Sequence, residues 1–116
     1  MPCVDIKFKE TVVTGAQLYE AADRITEIVA HHFYTTPDNV SVDVIPQTRW
    51  VKNRKDVDIE VKASSDPEGR RRQAVGTLAN VLADWLQEYL KGKGINCETS
   101  ALVQILAEGK YEYRVP

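Results

Sequence analysis

Pro2-Cys3-Val4-Asp5-Ile6-Lys7-Phe8-Lys9 opens the chain and alternates strictly: Val4, Ile6 and Phe8 are apolar, while Asp5, Lys7 and Lys9 are charged. An alternation of period two gives a strand with one dry face and one wet face. Residues 11–15 form a connection. Thr14 and Gln17 then stand three apart, the spacing of a capping box, in which each side chain satisfies a backbone N–H of the other's residue. Leu18, Ala22, Ile25 and Val29 follow at helical spacing, opposite Glu20, Asp23, Arg24 and Glu27. Phe33 and Tyr34 close this helix and Pro37 ends the region. Val40, Val42 and Val44 make a second strand, which Pro46 limits.

The same order then recurs. Val57, Ile59 and Val61 alternate with Asp58, Glu60 and Lys62. Asp66 before Pro67 suits a helix start. The helix carries Val75, Leu78, Leu82, Trp85, Leu86 and Tyr89 on one stripe, and Gly92 and Gly94 end it. Ala101, Val103, Ile105 and Ala107 alternate with Leu102, Gln104 and Leu106, so both faces are largely apolar, as in a central or interface strand. Tyr111, Tyr113 and Val115 form a short last strand after a turn-like Glu108-Gly109-Lys110.

The reading is therefore α/β, with two pseudo-symmetric β-α-β units. They predict a four-stranded sheet with both helices on one face. A single domain over 2–116 divides into a first unit at 2–45, a second at 56–107, and a C-terminal strand or tail at 108–116. The other sheet face is semi-polar, with Asp5, Lys7, Asp43, Asp58 and Glu60. Ile45, Leu102 and Leu106 are out of place there in open water, which predicts a neighbouring subunit.

A chain of 116 residues buries a modest core and gains from association. Fifteen Lys and Arg against 17 Asp and Glu give a formal charge of -2, which argues against a general nucleic-acid binder. The longest apolar runs are far below the roughly 20 residues that a membrane helix requires. The N-terminus lacks a basic region followed by an apolar stretch, so the expected compartment is the cytoplasm. Cys3 and Cys97 make neither a disulfide framework nor a four-ligand zinc site, and read as small buried hydrophobes.

Chemistry-bearing motifs are few. No phosphate-binding glycine loop, H-E-x-x-H or C-x-x-C is present. His31 and His32 are adjacent on a helix, point in different directions, and read as a solvated helix end rather than a metal site. Arg70, Arg71 and Arg72, in the first turns of the second helix, read as a mostly solvated patch, with a phosphate or carboxylate clamp as the alternative. The connection from Pro46 to Lys55 gathers Arg49, Lys52, Arg54 and Lys55 around Trp50. It reads either as a basic loop with Trp50 packed at a subunit contact or as a clamp for a carboxylate. Pro2 follows the initiator methionine. Methionine aminopeptidase removes Met1 before a small side chain, which would leave a secondary amine at the head of the first strand. Buried, that amine would titrate near neutrality and could shuttle protons.

Pro2 at the head of the strand Pro2-Cys3-Val4-Asp5-Ile6-Lys7-Phe8, the doubled strand-helix-strand order, the length, and the segment Thr36-Pro37-Asp38-Asn39-Val40-Ser41-Val42-Asp43-Val44-Ile45-Pro46 together resemble the tautomerase superfamily. The likeness is closest to its small uncharacterised bacterial members and covers nearly the whole chain. It implies a trimer of pseudo-symmetric subunits. It also implies a cofactor-independent, metal-free tautomerase or isomerase acting on a small 2-keto or enol acid. Pro2 would be the base and acid in an apolar pocket between subunits. The family's arginine positions fall here on Thr11-Val12-Val13 and on Ser41. Arg49 is then the first choice for the carboxylate clamp, with Arg54, Lys7 and Lys9 as alternatives, and Trp50, Tyr111 and Tyr113 as pocket lining. Two other readings stand beside the enzyme: a non-catalytic oligomeric interaction module of the same fold, and a ferredoxin-like ligand-binding or regulatory domain.

Overall fold

A computed structural model describes residues 2–47 and 55–106. The order is β1 (Cys3–Lys9), α1 (Gly15–His32), a single 3-10 turn (Pro37–Asn39), β2 (Ser41–Gln47), β3 (Val57–Ser64), α2 (Arg70–Gly92) and β4 (Thr99–Leu106). The strands lie in the order β2-β1-β3-β4. β1 pairs with β2, and β3 with β4, in parallel, as a helical crossover requires; the two units meet antiparallel at β1 and β3. This is the expected four-stranded sheet.

Alternation decides which face is buried. Val4, Ile6 and Phe8 of β1 and Val57, Ile59 and Val61 of β3 are all buried. They form one cluster with Leu18, Ile25 and Val29 of α1 and with Leu78, Leu82, Leu86 and Leu90 of α2, so both helices cover the same face. The four α2 leucines, spaced by four, are fully buried. Each such burial contributes about 1.5–3 kcal/mol. Ala21, Ile28 and Ala30 of α1 are buried as well, widening the stripe read from the sequence.

The capping box at the head of α1 is complete, with Thr14 Oγ1 accepting from the Gln17 N–H at 3.2 Å and Gln17 Oε1 from the Thr14 N–H at 3.0 Å. At the head of α2 the structure differs from the expectation. The helix begins at Arg70, after Gly69 at φ +70°, a conformation that glycine adopts without steric cost. Asp66 still serves that end from the preceding turn, because its Oδ1 accepts the Arg71 N–H at 3.0 Å. This bond holds the Asp66 carboxyl below its usual range.

Other expectations change too. β2 runs through Pro46 to Gln47, which is tolerated because β2 is an edge strand, where a missing N–H need not break a ladder. Among the described residues β4 is also an edge strand rather than a central one, and its Leu102 is 51% exposed. Cys3 is exposed and Cys97 half-buried, not core residues. Alternation places Cys3 on the open face, opposite Val4. Burial pushes the Cys97 thiol up, with Asp56 adding to the shift, so it holds less thiolate at neutral pH. Ala107 and the strand read at 111–115 lie outside the described residues. No helix among the described residues is long and apolar enough to cross a membrane.

Arg71 departs from the solvated patch expected of it. Its Nε donates to the Phe33 carbonyl at 2.9 Å and its Nη1 to the Ser64 carbonyl at 3.2 Å. One side chain thus ties the end of α1 to the end of β3. Hydrogen bonds to a charged donor are worth about 1.5–3 kcal/mol each in favourable settings, and less where exposed. Arg71→Ala is therefore expected to destabilise the fold by about 1–3 kcal/mol. Arg72→Ala, at an exposed position, should change it by less than about 0.5 kcal/mol. Urea unfolding of the two variants checks the contrast.

Candidate active site

Pro2 is buried at the head of β1. Its carbonyl accepts the Ser41 N–H at 3.1 Å, which fixes it beside the start of β2. On its other side β3 runs antiparallel, with Cys3 opposite Lys62. Continuing that register by one residue sets Pro2 beside Ala63, which pairs in turn with Ile105 of β4. Val40 and Ala63 at this end of the sheet are buried and apolar. β4 runs parallel to β3 and reaches Leu106 at the same end; Tyr111 and Tyr113 lie outside the described residues.

The candidate cations divide by position. Lys7 stands in the middle of β1 on the open face, with Nζ 3.3 Å from both carboxylate oxygens of Glu60. Lys9 is at the far end of β1, 3.6 Å from Asp56. Arg49, Trp50 and Arg54 lie outside the described residues. The residues flanking that segment are described. Gln47 pairs with Lys9, and the Lys9 N–H donates to Asp56, next to Lys55. Both flanks therefore stand at the end of the sheet away from Pro2, about 23 Å along β1 at the usual rise of a strand. Lys55 is held there by Glu98 at 2.7 Å, which raises its pKa.

Two cations that were not among the clamp candidates for Pro2 stand at the Pro2 end. Lys62 is exposed, directly across from Cys3, and makes no ion pair among the described residues. Arg71 reaches the same end through the Ser64 carbonyl. The signal for Lys62 was available only through the antiparallel β1–β3 pairing, which local alternation does not encode. Among the described residues no three His, Cys, Asp or Glu side chains are grouped to hold a metal ion.

No protein-family model matches the chain, and no curated protein matches it by sequence. Solved structures match it over almost its whole length. A macrophage migration inhibitory factor-like protein from Entamoeba histolytica is 15% identical, with 97% of this chain and 95% of that one covered and a TM-score of 0.63. Pt0534, solved after inactivation by 2-oxo-3-pentynoate, is 14% identical, with 96% and 91% covered and a TM-score of 0.64. N1, a member of the cis-3-chloroacrylic acid dehalogenase family, is 12% identical, with 96% and 80% covered and a TM-score of 0.64. The chain has the fold of the tautomerase superfamily. At these identities the likeness concerns the fold alone.

Proposed function

We propose that the protein is a cofactor-independent tautomerase or isomerase of a small 2-keto or enol acid, with the amine of Pro2 as base and acid. The observation that carries this reading is the buried position of Pro2 at an apolar end of the sheet. Removal of Met1 turns the Pro2 nitrogen from an amide into a secondary amine. Apolar surroundings disfavour its ammonium form, and a neighbouring cation such as Lys62 disfavours it further. The neutral amine takes a proton from the enol oxygen or from the carbon next to the carbonyl. Charge moves onto oxygen, and the resulting ammonium returns the proton to a different atom of the substrate. A cation holds the carboxylate and stabilises the developing enolate. Neighbours of the same fold include one inactivated by 2-oxo-3-pentynoate and one of the cis-3-chloroacrylic acid dehalogenase family, which supports an acidic substrate.

Arg49 is the first choice for the clamp, since its planar fork can hold a carboxylate through two parallel bonds. Both flanks of its segment stand at the far end of the sheet, so an Arg49 that serves Pro2 comes from a neighbouring subunit. The expected assembly is accordingly a trimer, with Leu102 and the rest of the open face covered. Lys62, already at the Pro2 end, is the second choice.

Steady-state kinetics on phenylenolpyruvate, alongside light scattering, test the reading. The expected result is a trimer in which Arg49→Ala raises KM and lowers kcat by roughly tenfold or more, the loss of a charged hydrogen bond made in the transition state. Unchanged constants clear Arg49 and pass the role to Lys62. A monomer without activity on any of several 2-keto acids overturns the enzyme reading. The interaction module of the same fold then stands, and it has the far-end position of the basic segment's flanks on its side.

A further inference from the structure

We infer that the cleft between the end of α1 and the first turns of α2, at the Pro2 end of the sheet but without Pro2 in its lining, is a second ligand site, and that it takes a phosphate monoester. Its volume is about 460 Å³, within the range of small-molecule sites, and His31, His32, Tyr34, Arg70, Gln73 and Thr77 line it. Arg70, Gln73 and Thr77 fall at i, i+3 and i+7 of α2, so they form one stripe along that helix. The histidines and Tyr34 come from the other wall.

That wall is held in an unusual shape. Tyr34 has φ +56°, a conformation few non-glycine residues adopt, and the Thr35 N–H donates to the Ala30 carbonyl at 3.0 Å to close the turn. Tyr34 lies under the Arg70 guanidinium, 4.1 Å from ring centroid to Cζ. A ring stacked in this way orients the fork and leaves its edge for bonding. His32 Nδ1 lies 2.8 Å from the Ile28 carbonyl. A carbonyl can only accept, so Nδ1 carries the proton and Nε2 is the nitrogen available to a ligand. His31 stands edge-on to His32 with centroids 5.4 Å apart.

The donor set selects the ligand class. A guanidinium fork, two imidazoles, a carboxamide and a hydroxyl offer more hydrogen-bonding groups than two carboxylate oxygens can use, whereas a phosphate presents three or four oxygens. His32 Nε2 suits both ionic forms: neutral, it accepts the P–OH of the monoanion, and protonated, it donates to the dianion. The negative charges facing Arg70 are Asp66, 3.4 Å from Nε, and Glu68, 3.5 Å from Nη2. Both contacts are long; Arg70 and Glu68 are exposed, while the mostly covered Asp66 carboxylate is already engaged by the Arg71 N–H, so both compete weakly. The remaining cleft volume fits the organic part of a monoester rather than inorganic phosphate alone.

Phenyl phosphate is the probe, titrated into the nitrogen-15-labelled full chain. The expected result is a saturable shift at His31, His32, Arg70, Gln73 and Thr77, with the resonances of Cys3, Lys62 and Ala63 unmoved. Arg70→Ala and Gln73→Glu, both at exposed positions, should each weaken binding roughly tenfold or more. Benzoate, with the same ring and a carboxylate, should bind more weakly by a similar factor. Three outcomes overturn the inference: no saturable shift at millimolar probe, equal affinity for benzoate, or unchanged binding in both variants. The readout is binding, so it stands or falls independently of any turnover at Pro2.

Discussion

Blocking the Pro2 nitrogen is expected to lower turnover on an enol acid by about 10²–10⁴-fold, the usual contribution of a positioned general base. A retained Met1 does this by making the nitrogen an amide, which cannot take up a proton near neutrality, and it leaves every lysine amine untouched. The lesion is confined to one atom. The Pro2 ring stays in place, and so does its carbonyl bond to the Ser41 N–H, on which the head of the sheet depends. Thermal unfolding of blocked and free protein should therefore coincide while their rates diverge. Pro2→Ala is the milder change, because a primary amine remains in the same place. The pH profile supplies a second readout. A base whose pKa is depressed is inactive when protonated, so kcat/KM should rise through that pKa and level off above it. An α-amine in water titrates at about 7.7–8.0. The apolar end of the sheet should bring the rise below that, and nitrogen-15 titration of Pro2 in the mature protein should report the same midpoint. A rate unchanged by a retained Met1 removes Pro2 from the chemistry.

Much of this architecture was legible because alternation is a local signal. Val4, Ile6 and Phe8 alone predict a one-faced strand, and the burial of all three is what period two requires. Both crossovers follow from helix length. What was not legible lies between elements. Nothing near Pro46 says that β2 is at an edge, and nothing near Leu102 says that β4 is. Arg71 looked like one of three solvated arginines, because the carbonyls it bridges, Phe33 and Ser64, lie 38 and 7 residues away. The site divides in the same way. Pro2 is marked by its place in the chain, whereas Lys62 is brought beside Cys3 only by the antiparallel junction of the two units. The Lys7–Glu60 pair, diagonal across that junction, and the Lys9–Asp56 pair at its end are products of it as well. They give two expected clamp residues a structural use on the open face.

The β1–β3 junction also locates the largest expected loss of stability. Ile6 is fully buried on β1, between Val44 of β2 and Ile59 of β3 in register, and so faces both helices from an inner strand. Ile6→Ala removes three carbons where neighbours on both sides are fixed by ladder hydrogen bonds, leaving little freedom for the site to collapse. The expected cost is about 2–5 kcal/mol, lost transfer energy plus a cavity. A domain of this size is stable by only about 5–15 kcal/mol, so the variant should unfold at markedly lower urea concentration. Ile6→Val, which removes one carbon, should cost about 0.5–1.5 kcal/mol. Leu102→Ala serves as the control. Leu102 is 51% exposed on the edge strand, so its truncation should cost little in the isolated subunit. In an assembled trimer the cost should grow with protein concentration, as the open face becomes covered. An Ile6→Ala loss no larger than that of Leu102→Ala in dilute protein would mean that the core is not organised around β1. Pro2 would then have no rigid strand to hold it.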